Sequence, residues 1–198
     1  MIDNLLHTRI IENKDWATLL FVLSFASISF TKSVFEGRFS DFAKLIYSNK
    51  YITIYKDSSH LKSGFTISLF LVQIISFAFF IQLSLSYFGY TSKTDWILYI
   101  QIITFLMYFV LAKFLIEKII ATAFHIEEFM EQFNLQKVIY RTYIGLLILP
   151  INVVLFYYDS ISRSSMIFIL GLLLVINSIV YFVSIKNYQN LIFSKLFY

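Results

Sequence analysis

The chain has no cysteine, a single proline (Pro150), five glycines in 198 residues, and charge on only 14% of its side chains. Without cysteine there is no disulfide framework, thiolate metal site, iron–sulfur cluster or thiol nucleophile, whatever the redox compartment. So little proline and glycine leaves no room for a flexible interdomain linker. The sequence also lacks an H-E-x-x-H pair, a G-x-S-x-G elbow and a phosphate-cradling glycine loop. His7, His60 and His125 all fall outside the apolar segments, where they cannot serve as intramembrane haem ligands. No cofactor or metal is therefore expected, and neither is an enzyme.

What the chain does have is oil. Hydrophobic residues make up 59% and mean hydropathy is +0.75, on the membrane side of soluble usage. A hydrocarbon core roughly 30 Å thick needs about 20 helical residues at about 1.5 Å each. Five stretches meet that requirement: 16–34, 65–88, 96–119, 140–158 and 165–185. The expected fold is all-α: one membrane domain over 1–198, a polytopic bundle of five transmembrane helices with the lipid bilayer as its first partner.

Lysine and arginine set the expected orientation. The connections after the first and third spans, with the carboxyl-terminal tail, hold twelve of the sixteen, and the opposite side holds four: Arg9, Lys14, Lys93 and Arg163. The positive-inside rule then makes 35–64 and 120–139 cytoplasmic loops and 1–15 an outer tail. Asp15-Trp16, Asp95-Trp96 and Tyr157-Tyr158-Asp159 fall at the outer boundary, where interfacial aromatics belong. The residues after the two Asp-Trp pairs share only hydrophobicity, which argues against an internal duplication. The first fifteen residues mix both charges and no small-residue cleavage pattern follows, so the first apolar run is expected to remain as a span. The charge balance gives no reason to expect nucleic acid as a partner.

Within the first loop, Phe39, Phe42 and Ile46 recur at three- and four-residue intervals while Arg38, Asp41 and Lys44 fall elsewhere on the wheel. This describes a short amphipathic helix, expected to lie on the inner leaflet among anionic lipids. The alternating run 49–55 reads as an extended link. The third span is expected to continue as one helix to about Phe133 and to end at Asn134. Lys113 and Glu117, four residues apart, are expected to pair on its face, with the Lys113 ammonium snorkelling to water. His125 near Glu128 and Glu131 lies in a solvated stretch and is not expected to bind a metal.

The fourth span carries the most distinctive string, Arg141, Gly145 and Leu149-Pro150-Ile151-Asn152. Pro150 removes a backbone donor and crowds the preceding turn, so a kink near mid-helix is expected, with carbonyls near Leu146 needing partners. An amide in hydrocarbon needs partners too. Asn152 is therefore expected to face the bundle interior, toward Asn177 or Gly171 of the fifth span or Gln101 of the third, as a clasp between helices. Gln73 and Gln82 on the second span read as similar glue. A ligand or ion site at the Pro150 break is the functional alternative, because transporters do build midplane sites from broken helices.

With Asn49-Lys50-Tyr51, Lys113 to Glu117, and Tyr140-Arg141 followed by Gly145 and Leu149-Pro150-Ile151-Asn152, the chain resembles an uncharacterised family of small polytopic inner-membrane proteins of Bacteroidota. That resemblance implies an inner-membrane location and no transferable activity. It also implies a further carboxyl-terminal hydrophobic segment, so that Leu191 to Tyr198 would open a sixth helix. The function that fits best is a non-enzymatic structural or accessory subunit of a larger membrane complex, with other membrane-protein subunits as partners. The alternative is a small transporter or lipid-handling protein using Asn152, Pro150 and the Lys113–Glu117 pair.

Overall fold

The computed structural model describes residues 14–46, 51, 54–55, 63–158 and 163–196. They form six α-helices: α1 (Asp15–Val34), α2 (Glu36–Ala43), α3 (Gly64–Tyr87), α4 (Trp96–Ala123), α5 (Glu127–Tyr157) and α6 (Arg163–Leu196), with a 3-10 turn at Lys44–Ile46 after α2. Four stretches have the length and apolar composition to cross a membrane: Asp15–Val34, Gly64–Tyr87, Trp96–Ala123 and Met130–Tyr157. The expected fifth span falls in α6, whose apolar stretch among the described residues, Ser164–Ile179, is shorter. Residues 191–196 continue α6 instead of opening a separate sixth helix.

Local chemistry explains where the long helices begin and end. Asp95 caps α4, its carboxylate accepting from the backbone N–H groups of Ile97 and Leu98 at 3.1 Å each. Ser63 caps α3 by accepting from the Thr66 N–H. Asp15, by contrast, lies inside the first turn of α1 and does not cap it. The α3 terminus closes as a Schellman motif at Gly89 (φ 84°), with Gly89 N–H donating to the Ser86 carbonyl and Tyr90 N–H to that of Leu85.

The same motif ends α4, with a different residue in the left-handed position. His125 takes φ 54°, its N–H donating to the Thr122 carbonyl and that of Ile126 to the Ala121 carbonyl. The third span therefore does not run on to Phe133. It stops at Ala123, turns through Phe124–Ile126, and α5 then rises without interruption through Asn134 and Pro150 to Tyr157. Residues 127–133, expected as the end of the third span's helix, and 134–139, expected as loop, are together the first turns of a separate 31-residue helix.

α3 is the hub: it packs most extensively on α5, then on α4 and α1, while α6 leans mainly on α5. More than half of the apolar window of α3 is buried (56%), against 6% of that of α4, which places α4 on the rim. Two aromatic cores fill the ends of the bundle. At one end Phe21 stacks on Phe79 at 4.2 Å, with Trp16, Tyr99 and Phe156 around them. Trp16, expected at the interface, is thus packed among the helices, whereas Trp96 is exposed.

At the other end Phe42, Tyr51 and Phe65 meet edge-on or tilted, with Leu135 and Ile139 of α5 behind them. The amphipathic helix thus exists as α2, but its buried Phe42 faces protein rather than lipid headgroups. Arg38 fastens it. Its guanidinium donates to the Tyr51 hydroxyl at 3.0 Å, Ser63 Oγ at 2.8 Å and Thr66 Oγ1 at 3.2 Å, and lies 4.6 Å from the Phe65 ring centroid. Burial pushes the Tyr51 phenol above its ordinary range, although Arg38 pulls the other way.

Candidate functional site

The α3–α5 interface is a polar seam in an apolar bundle. Thr142 Oγ1 donates to Gln73 Oε1 at 2.8 Å, and Asn152 Nδ2 donates to the Ser76 carbonyl at 2.7 Å. Gly145 makes the close approach possible, since a Cβ there would lie 2.9 Å from Gln73 Cγ and 3.1 Å from its Cα. Asn152 is fully buried, but its partner is Ser76 of the second span; Asn177 and Gln101 are both exposed and do not meet it. The reason is geometric: Gly145 draws α5 against α3, so the interior face of α5 meets α3 first. Pro150 lies on the opposite, exposed face of an uninterrupted helix. The Asn152 amide nitrogen is clasped, its Oδ1 is buried without a partner among the described residues, and neither Asn152 nor Pro150 lines the cleft nearer the hairpin turn.

That cleft opens near the α4–α5 turn, between α3, α4 and α5, with a volume of about 640 Å³. α3 contributes Thr66, Ile67 and Phe70; α4 contributes Val110, Leu111, Lys113, Phe114 and Glu117, then Lys118 and Thr122; α5 contributes Glu127, Glu131, Asn134, Lys137 and Arg141. Lys137 Nζ donates to Glu117 Oε1 at 2.7 Å, and both side chains are largely buried, 14% and 19% exposed. That contact fixes the register of the antiparallel hairpin. One turn away on each helix, four residues from the pair, stand Lys113 and Arg141.

The expected Lys113–Glu117 pair is therefore replaced by a pair across the hairpin, with Lys113 exposed on the cleft wall. A partner on a facing helix wins because the turn at His125 aims Lys137 directly at Glu117. Lys113 and Arg141 are near enough to act electrostatically on that pair. Glu117 thus pairs with Lys137 and feels Arg141, while Lys113 and Lys118 line the same cleft. Beyond Lys113 in α4 and Arg141 in α5 no further charged residue occurs within either helix, up to Trp96 and Tyr157. The cleft therefore straddles the boundary between the charged and the apolar sections of the helices.

A family model for a domain of unknown function, DUF4271, matches residues 17–198. The chain belongs to the DUF4271 family. No curated protein and no solved structure matches it. Because the DUF4271 description carries no activity, the chemistry of the cleft must be read from its own residues. Four apolar helices make this DUF4271 member a membrane-embedded protein.

Of the residues singled out in the sequence, Lys113, Glu117 and Arg141 come together in the cleft, whereas Asn152 serves the seam and Pro150, Gln101 and Asn177 face outward. Lys137 and Asn134 were missed. Their signal was present as Lys137 and Arg141 at i,i+4, but assigning the stretch to a loop hid their shared face. Among the described residues, no three of His, Asp and Glu group as a metal site.

Proposed function

We propose that this chain is a non-enzymatic integral protein of the bacterial inner membrane that binds a phospholipid by its phosphate in the α3–α4–α5 cleft. The observation that carries this reading is the gathering of Lys113, Lys118, Lys137 and Arg141 in one largely apolar cleft, where only Lys137 forms an ion pair, with Glu117, among the described residues. A phosphate diester supplies the missing anion, and Arg141 offers the planar fork that matches it. Ile67, Phe70, Leu111 and Phe114 line the same cleft and suit an acyl chain. The basic bias of the connections supports a cytoplasmic position for this end, where anionic lipids collect. Lipid handling, the alternative reading of the sequence, thereby moves from Pro150 to the hairpin.

The experiment is native mass spectrometry of the protein released from nanodiscs of defined phospholipid composition. Retained phospholipid is expected on the wild type and lost on Arg141→Gln and Lys113→Gln. Equal retention by these variants, with unchanged melting temperatures, would overturn the reading. A second reading, an accessory subunit of a larger complex, draws on α4, whose outer face carries Phe105, Tyr108 and Phe109 exposed. Native pull-down tests it: stoichiometric membrane partners support it, and a monodisperse lone protein refutes it.

A further inference from the structure

The last turns of α4 are divided lengthwise. Lys113, Glu117, Lys118, Ala121 and Thr122 line the cleft on one side. Leu115, Ile116, Ile119 and Ile120 lie on the other, each 45–69% exposed. At about 100° of helix per residue, these four fall within one arc of about 140°. Carried back along α4, the same arc holds Ile97, Phe105, Tyr108 and Phe109, all exposed. It carries no Asp, Glu, Lys or Arg from Trp96 to Ala123. Its one amide, Gln101, stands a turn from Ile97, where it leans back toward the headgroups. The charges of the facing helix turn away as well, because Glu127, Glu131 and Lys137 line the same cleft.

Length and continuity decide what covers this face. From Ile97 to Ile120 is about 35 Å of helix, against a hydrocarbon core of roughly 30 Å and about 40–45 Å with the headgroups. With Ile97 at one edge of the core, an upright α4 keeps Leu115 at about 27 Å, inside the far edge, and Ile119 and Ile120 among the headgroups. Membrane helices tilt by up to about 40°, and a tilt of about 30° draws all four into the core. The strip runs on from the lipid-facing side of the span without a charged break, so nothing on it marks a point of exit into water.

We propose that α4 from Lys113 to Ile120 stays within the bilayer, with Leu115, Ile116, Ile119 and Ile120 against the lipids of the leaflet at that end. The cleft then opens at or just below the level of the lipid phosphates, not above the membrane surface. Lys113, Glu117, Lys118 and Lys137 escape hydrocarbon by facing the cleft, the arrangement that charges at membrane depth require. This surface belongs to lipid whatever the cleft binds, so the inference stands apart from the phosphate reading.

Because the chain has no cysteine, a single introduced cysteine carries one fluorophore at a known site. The test places the full chain in phosphatidylcholine vesicles with two quenchers, a lipid bearing a nitroxide high on its acyl chain and iodide on both sides of the membrane. Leu115→Cys and Ile119→Cys are expected to be quenched more by the nitroxide lipid than Phe105→Cys, which lies near mid-bilayer, and less by iodide than Ser92→Cys in the loop before α4. Thr122→Cys, on the cleft side, should show the reverse of Ile119→Cys with both agents. Iodide quenching of Leu115→Cys and Ile119→Cys equal to that of Ser92→Cys would put this face in water and overturn the proposal. Weak quenching by both agents would mean that protein covers it and overturns the proposal equally, as does equal nitroxide quenching on the two sides of α4. All these sites are exposed, so no core packing is lost, and Ile116→Cys replaces either lipid-face variant whose melting temperature falls below that of the wild type.

Discussion

A single methyl group at position 145 tests whether α3 and α5 touch along the seam. In Gly145→Ala the new Cβ would stand 2.9 Å from Gln73 Cγ, 3.1 Å from Gln73 Cα and 3.2 Å from Gln73 Cβ. The Cγ can swing aside, but the other two are fixed by the α3 backbone, so the helices must part by a few tenths of an ångström. That movement strains the 2.8 Å Thr142–Gln73 bond and the 2.7 Å Asn152–Ser76 bond on either side. Overpacking of this kind costs about 1–3 kcal/mol. Replacing a helical glycine by alanine returns about 1 kcal/mol, leaving a net loss of about 0–2 kcal/mol. Gly171 supplies the control, because it is helical and a Cβ there meets nothing within 4 Å. Gly171→Ala should be neutral or stabilising by up to about 1 kcal/mol. Thermal unfolding of both variants in one detergent should therefore rank Gly145→Ala below Gly171→Ala by about 1–3 kcal/mol. Equal stabilities, or the reverse order, would show that the helices do not approach as closely as the seam requires.

Three further perturbations probe the hairpin and the α2 dock. His125→Gly removes a side chain from the left-handed region at the α4 terminus, and thermal unfolding should show no loss and a gain of up to about 1 kcal/mol; a loss would deny the turn at φ 54°. Glu117→Gln leaves Lys137 and Arg141 without their shared carboxylate, whereas Lys137→Met leaves Glu117 with Arg141 still near. The first should cost more than the second, by about 1 kcal/mol, in melting experiments at low salt, and equal losses would refute the sharing of Glu117 by the two cations. Arg38→Ala strips the α2 dock of three hydrogen bonds and a ring contact, worth about 2–3 kcal/mol together, and should speed hydrogen exchange of the α2 amides. Arg38→Lys should restore only part of that protection, because lysine lacks the planar fork; full protection in Arg38→Ala would mean α2 is held by Phe42 alone.

The presence of the long helices and several of their ends were legible in the residues themselves. Apolar run length is a local property, and so is capping: Asp95 and the apolar window after it mark the start of α4 without reference to any neighbour. The break at His125 was not legible, because no glycine, asparagine or proline marks the left-handed residue there and the charge pattern flows across it. That one turn decides whether 127–139 is a tail or the foot of α5, and hence whether Lys137 can reach Glu117.

Which faces meet lay beyond the sequence for a further reason. In a membrane helix nearly every face is apolar, so the periodicity that orients a soluble helix is faint, and packing falls to small residues and a few polar groups. Length and composition alone made this an all-α chain with helices fit for a bilayer. Only the fold could pair Asn152 with Ser76, turn Pro150 outward and stand Lys113, Glu117, Lys137 and Arg141 around one cleft, because the first two depend on how closely Gly145 lets α5 approach α3 and the last on the turn at His125.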